Sequence, residues 1–187
     1  MSNAKIGEQL VGAFHKLINE CEVVSYNQFS ERAGDQMEVD VLAIKTNEGH
    51  QQVYVCEVVT HLDGINYGGS PSDDYWNEFG STAYQGTLDT IYQKFIVDHD
   101  YVTRVFDNAD EYQFQLWSPY VAEGYLTSGL DQLVERFEQE YGEEIDLKIN
   151  GTYTEDIEKL RSRAGQETKQ RGESAYRLLQ ILEHMRR

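Results

Sequence analysis

Long apolar runs, closely spaced cysteines and an excess of basic residues are all missing from this 187-residue chain. No apolar run approaches the roughly 18 residues that a bilayer-spanning helix needs, so we expect no membrane segment. The N-terminus lacks the succession of charged, apolar and small residues that is typical of a secretory signal peptide. The two cysteines, Cys21 and Cys56, form no CxxC or other metal-binding spacing. A reduced, cytoplasmic setting is therefore the expectation.

The signatures of several common enzyme classes are missing as well. The glycine-rich stretch GINYGGS, residues 64–70, lacks the Lys-Ser/Thr ending of a phosphate-binding loop. The acidic stretch FDNADEY, residues 106–112, does not have the spacing of an EF-hand. Neither a Ser-His-Asp arrangement nor a dinucleotide-binding fingerprint can be identified. Function must therefore be sought in individual side chains.

Basic residues are scarce, because 16 Lys and Arg stand against 33 Asp and Glu, which gives a net charge of −17. Phosphates attract basic surfaces, so this balance counts against nucleic-acid binding by charge alone. The charge is uneven, since residues 159–187 carry a net +5 and the rest of the chain −22. The negative charge of residues outside this segment has three explanations: solubility, adaptation to high salt, or a surface that mimics DNA and binds a DNA-handling protein. In the basic segment, Arg171 and Arg177 either contact phosphate or lie on a solvated face.

Hydrophobic residues make up 40% of the chain, enough for the core of one domain. Their periodicity predicts helices over 5–20, 83–106, 128–142 and, as one or two helices, 154–185, and strands over 22–29, 37–45, 51–61, 113–121 and 145–149. This order predicts an α/β fold with a mixed central sheet flanked by helices. We expect a single domain over 1–187, with a core over about 5–150 and a basic helical segment over about 152–187.

Two further segments have more than one interpretation. The long loop over 62–82 carries four aromatic residues that either stack on bases or hold the loop to the body: Tyr67, Tyr75, Trp76 and Phe79. An apolar stripe on the terminal helix packs on the body or on a second subunit, which leaves a homodimer open. It consists of Tyr176, Leu179, Leu182 and Met185.

Asp40 in MEVDVLAIK and Glu57 in YVCEVV are carboxylates inside strands that are otherwise apolar. Charged groups are costly there unless they lie at a strand end, on a solvated face or beside a cation. A third acid, Glu8, lies on the first helix, off the apolar stripe formed by Ile6, Leu10, Ala13, Phe14 and Leu17. Carboxylates on neighbouring strands can converge, and Mg²⁺ (or Mn²⁺) prefers such oxygen ligands. Asp40 and Glu57 are therefore predicted metal ligands.

This order of elements, with these acids, resembles the PD-(D/E)xK nuclease superfamily, the restriction-endonuclease-like fold. The resemblance covers roughly residues 5–120. It implies an αβββαβ core in which Glu8, Asp40 and Glu57 form the acidic site of a Mg²⁺-dependent endonuclease, with DNA favoured over RNA. The lysine that this family places two residues after the strand acid is replaced here by Val59.

The missing lysine leaves three interpretations open, because the family lysine orients the attacking water and stabilises developing negative charge. Lys94 on the following helix takes over this role, as such migrations are known in the family. Alternatively, His61 takes over this role, because residues 57, 59 and 61 would lie on the same face of the predicted strand. In the third interpretation the site is inactive, and the protein is an interaction module with a nuclease fold.

Overall fold

The structure is a computed structural model that describes residues 4–30 and 37–186. Arg187 of the basic segment lies outside them. The helices are α1 (Ile6–Leu17), α2 (Thr82–Val105), α3 (Tyr125–Tyr141), α4 (Asn150–Gln166) and α5 (Ser174–Met185). The strands are β1 (Val23–Ser30), β2 (Met37–Asn47), β3 (His50–Val58), β4 (Glu111–Ser118) and β5 (Ile145–Ile149).

The strands form one mixed sheet in the order β1-β2-β3-β4-β5. The first three strands are antiparallel neighbours. The tight turn between β2 and β3 has positive φ angles of 50° at Glu48 and 89° at Gly49, which suits a two-residue hairpin. β3, β4 and β5 run parallel, because α2 and α3 carry the chain back between them. The predicted α/β class with a mixed sheet flanked by helices is confirmed.

Alternating residues of β3 supply the two cores of the protein, one on each face of the sheet. Val53 and Val55 belong to the core that α2 and α3 cover. Tyr54 and Cys56 belong to the core that α1, α4 and α5 cover. Successive side chains of a strand point to opposite faces, so Glu57 lies on the α2 side of the sheet.

Several boundaries differ from the sequence prediction. β3 ends at Val58 rather than at residue 61, and β4 ends at Ser118 rather than at residue 121. α3 begins at Tyr125 rather than at residue 128, and α4 begins at Asn150 rather than at residue 154. The Asn150 side chain accepts from the Val121 amide at 2.8 Å and donates to the Val121 carbonyl at 3.1 Å, which ties the start of this helix to the loop after β4.

None of the helices in the described part of the chain is both long and apolar enough to cross a membrane.

Candidate active site

Asp40 and Glu57 meet where the ladder between β2 and β3 ends. The last pair in this ladder is Val41 with Cys56, so Asp40 and Glu57 are the next residues on their strands. Asp40 Oδ2 accepts a hydrogen bond of 2.8 Å from the Val58 amide. The Asp40 side chain of β2 therefore hydrogen-bonds the backbone of β3 beyond the point where the backbones of the two strands stop pairing. Both carboxylates are buried, at 6% exposure for Asp40 and 1% for Glu57.

Lys94 from the middle of α2 reaches this strand end and forms an ion pair with Glu57, in which its Nζ donates to Oε2. The Glu57 side chain is 1% exposed and the Lys94 side chain 33% exposed, so the pair lies at a partly open edge of the core. Of the two predicted substitutes for the missing lysine, Lys94 is the one that the fold brings to the strand acid.

Val59 and His61 do not supply the positive charge that pairs with Glu57. Val59 is 4% exposed and packs in the apolar core on the α2 side. The expectation that His61 continues the face of Glu57 is wrong, because β3 ends three residues earlier. Its side chain is exposed, and its carbonyl accepts from the Gly64 amide at 3.3 Å.

Glu8 is buried at 1% exposure, although it was predicted to lie beside the apolar stripe of α1. The stripe is confirmed at Ala13 and Phe14, which are buried, but not at Ile6, which is 66% exposed, and the buried face also includes Val11 and His15. Glu8 Oε2 accepts from the Lys5 amide at 2.8 Å, and the Lys5 ammonium lies 3.4 Å from Oε1.

Two glycines explain why this face of α1 lies against the sheet. A Cβ at Gly7 would lie 2.3 Å from the Thr60 side chain, and one at Gly12 would lie 2.1 Å from the Tyr26 hydroxyl. Only residues without a side chain allow the helix to come this close. Glu8 lies between them in sequence, and its carboxylate is near enough to Asp40 to raise the pKa of that carboxyl.

Asp98 is a site residue that the sequence reasoning missed. It lies one turn after Lys94 on α2 and is 0% exposed. Among the described residues, no donor group bonds its carboxylate oxygens or Oε1 of Glu57, but the two carboxyl groups lie within hydrogen-bond reach of each other, and a proton on one of them would join them. The signal was present, because Asp98 continues the stripe of Leu88, Ile91 and Phe95 at a position where a core residue is expected.

Burial governs the electrostatics of these acids. It raises the pKa of Asp40, Glu57 and Asp98, because a charged carboxylate is disfavoured away from water. The charge of Asp40 raises the pKa of Glu57 further, and the Lys94 ammonium opposes both effects. Burial lowers the pKa of Lys94, but Glu57, Tyr67 and Asp40 together raise it above the ordinary value. Lys94 is therefore charged at neutral pH.

The donor set suits a hard cation, although the ligands are not gathered around one point. Within residues 4–30 and 37–186, no group of three or more His, Cys, Asp or Glu side chains is arranged to hold a metal ion. The buried carboxyl oxygens of Glu57 and Asp98 face each other and have no other donor among the described residues. Mg²⁺ and Mn²⁺ bind such oxygens and keep several waters, so two or three carboxylates are sufficient.

A second polar network lies on the opposite face of the sheet. His15 Nε2 lies 3.1 Å from Gln115 Oε1 and 3.3 Å from Cys56 Sγ. Burial lowers the pKa of His15 from 6.5 to about 4 and raises that of Cys56 well above its ordinary value. A neutral imidazole beside a protonated thiol is not an activated nucleophile. We interpret this network as structural. The sequence did not predict it, because His15, Cys56 and Gln115 are far apart along the chain.

The long loop is held to the body through Trp76. This side chain is 0% exposed, and its Nε1 donates to Asp89 Oδ1 at 3.1 Å. Phe79 packs against the same core. Tyr67 and Tyr75 stay 40% and 42% exposed, and the Tyr67 ring lies 6.0 Å from the Lys94 ammonium.

The candidate phosphate contacts of the terminal segment already have partners within the chain. Arg171 pairs with Glu167 at 2.8 Å. Arg177 donates to the Thr168 carbonyl at 3.4 Å and to Gln180 at 3.1 Å.

The predicted apolar stripe of this segment divides in two. Tyr176 is buried and Leu179 packs on the body, whereas Leu182 and Met185 are 44% and 77% exposed.

No family model matches this chain, and neither a curated protein nor a solved structure matches it.

Proposed function

We propose that this protein is a metal-dependent nuclease that hydrolyses phosphodiester bonds, with DNA favoured over RNA. One observation carries the proposal: Lys94 is paired with the buried Glu57 at the strand end where Asp40 also lies. Two carboxylates and one ammonium are the groups that the resemblance to PD-(D/E)xK nucleases implies, with the lysine supplied by α2. The absence of matching proteins leaves this geometry as the main support.

The roles follow from the chemistry of each group. Asp40 and Glu57 would hold Mg²⁺ or Mn²⁺, and Glu8 would act through a water. A bound divalent cation would neutralise charge on the phosphate and lower the pKa of a bound water. Lys94 would orient that water and stabilise developing negative charge, because it stays protonated beside Glu57.

A second candidate is a catalytically inactive module with the same fold that acts in protein or nucleic-acid interaction. It is favoured by the lack of a ready three-ligand group among the described residues. The net charge of −17 is also compatible with a protein partner on the acidic surface. In this case the Lys94–Glu57 pair would serve only to neutralise a buried carboxylate.

Cleavage assays with Mg²⁺ or Mn²⁺ on plasmid, linear and branched DNA and on RNA separate the two candidates. Asp40→Asn is the informative variant, because an amide oxygen can still accept from the Val58 amide while the charge is lost. Asp100→Asn, on the solvated side of α2, is the matched control, since the Asp100 side chain is 70% exposed. Cleavage by the wild type and the control, but not by Asp40→Asn or Lys94→Met, is expected. A wild type that is inert on every substrate would leave the interaction module.

A further inference from the structure

The Tyr67 side chain lies beside the charged groups of the candidate site and is still open to solvent. Its ring centroid is 6.0 Å from Lys94 Nζ, and the residue is 40% exposed. Burial raises the pKa of the Tyr67 hydroxyl to about 12, with Lys94 acting to lower it and Glu57 and Asp40 to raise it. The hydroxyl is therefore within electrostatic reach of all three groups, and the ring borders the place where a phosphate would bind.

The backbone around Tyr67 is held in place on both sides. The Tyr67 amide donates to Thr87 Oγ1 at 3.0 Å, and the Gly68 amide donates to Asn66 Oδ1 at 3.0 Å. A Cβ at Gly86 of α2 would lie 2.6 Å from the Gly68 carbonyl oxygen, so a glycine is needed for the loop to lie this close to the helix. The loop thus presents the tyrosine ring from a fixed backbone.

The ring is not needed to anchor the loop. Trp76 and Phe79 of the same loop pack in the core on the α2 side. Tyr75, which is 42% exposed, has its ring 4.5 Å from the Arg136 guanidinium. Within the described residues, both cores are built without Tyr67. Its ring is therefore available to a ligand that enters the site.

The charge of the chain indicates which kind of nucleic acid this ligand is. Binding of a duplex draws on many contacts between basic side chains and phosphates, but this chain has a net charge of −17. Arg171 and Arg177 are engaged within the chain, and Lys94 is bonded to Glu57. Stacking of a base on an aromatic ring needs no positive charge and contributes about 1–3 kcal/mol per base. In a duplex, the faces of each base are already covered by its neighbours.

From this arrangement we infer that the substrate of the proposed nuclease is DNA with unpaired nucleotides, and that Tyr67 stacks on the base next to the phosphate that is cleaved. The inference rests on the proposed function at Asp40, Glu57 and Lys94. The stacked base would position its phosphate at these groups. A paired base would first have to leave its duplex, at a cost of a few kcal/mol.

Cleavage of one oligonucleotide, single-stranded or annealed to its complement, tests the substrate class in Mg²⁺. The wild type should cleave the single strand faster than the duplex. Tyr67→Ala should raise KM for the single strand by about ten-fold, whereas Tyr67→Phe, which keeps the ring, should behave as the wild type does.

Tyr125→Ala is the matched control for the loss of an exposed ring. Tyr125 is 63% exposed and lies beside Gly80, just before α2, so about 18 Å of helix separates it from Lys94. This variant should cleave the single strand as the wild type does. An equal loss in Tyr125→Ala and Tyr67→Ala would overturn the inference.

Stacking itself can be measured with a single strand that carries 2-aminopurine, whose fluorescence falls when the base is stacked. With Ca²⁺ in place of Mg²⁺, the wild type and Tyr67→Phe should quench it, and Tyr67→Ala should not. This readout does not depend on stability, which melting curves of each variant record. Binding of the strand by the wild type without quenching would overturn the inference.

The outcomes separate the inference from the proposed function. If the wild type cleaves both forms of DNA equally and Tyr67→Ala does the same, the inference is wrong and the nuclease stands. If the wild type neither binds nor cleaves DNA in either form, the proposed function and the inference are both refuted.

Discussion

Replacing Lys94 by methionine removes the ammonium at the candidate site and keeps most of the apolar stem. The Glu57 side chain is 1% exposed, so after this change the carboxylate is left without a counter-charge and with almost no access to water. Removing one partner of a buried ion pair typically destabilises a protein by about 3–5 kcal/mol. The partial exposure of Lys94, 33%, places the expected loss at the lower end of this range.

Protonation of Glu57 sets an upper limit on this loss. With Lys94 in place, burial and the charge of Asp40 already raise the pKa of Glu57 from 4.5 to about 7. A carboxyl whose folded pKa is raised contributes stability at low pH that is lost as the pH rises, so the wild type itself has lost this stability at pH 7. In the variant the carboxyl can stay protonated, at a further cost of about 1.4 kcal/mol for each pH unit above 7. We therefore expect Lys94→Met to lose less than about 1 kcal/mol at pH 7 and about 3 kcal/mol at pH 9.

Urea unfolding at the two pH values measures these differences. Lys169→Met, at an exposed position, is the matched control and should change the free energy of unfolding little at either pH. The double variant Lys94→Met/Glu57→Gln should recover most of the loss, because a glutamine needs no counter-charge. An equal loss at both pH values, or no recovery in the double variant, would refute the reasoning.

Three further predictions concern residues around the site. Val59→Lys should destabilise the protein by several kcal/mol relative to Val59→Met in urea unfolding, because Val59 is 4% exposed in an apolar core, and it should not increase cleavage. Gly12→Ala should lower the melting temperature, because its Cβ would lie 2.1 Å from the Tyr26 hydroxyl, whereas Gly165→Ala, with 3.6 Å to the nearest atom, should not. Burial lowers the pKa of His15 from 6.5 to about 4, so its stability contribution is present above pH 6.5 and falls by about 3 kcal/mol toward pH 4; His15→Gln should remove this part of the pH dependence of unfolding.

The sequence predicted the strand acids because strands have a simple period. Alternation along β3 puts Glu57 on one face, and a two-residue turn fixes which residue of β2 lies opposite. Asp40 and Glu57 therefore follow from the hairpin alone. The end of β3 at Val58 could not be predicted in this way, because beyond Cys56 the strand is held by pairing with β4, which lies far along the chain.

The helix residues were harder to place, because their positions depend on packing between distant parts of the chain. Lys94 could be named as a candidate, but its contact with Glu57, 37 residues away, requires the rotation of α2 about its axis. On α1, the predicted apolar stripe was partly right, since Ala13 and Phe14 are buried and Ile6 is exposed. The close approach at Gly7 and Gly12, which brings the neighbouring Glu8 against the sheet as well, has no apolar side chain to indicate it.

Buried carboxyl groups lower the stability of the fold near the end of the pairing between β2 and β3. On the stripe of α2, a leucine at position 98 would pack against the core at no electrostatic cost, and the chain instead buries a carboxyl group there. Burial and the neighbouring Glu57 carboxyl raise the pKa of Asp98 well above its ordinary value, so a proton held between the two carboxyl groups offsets part of the cost of burying them. Lys94, which is bonded to Glu57, offsets the negative charge that remains.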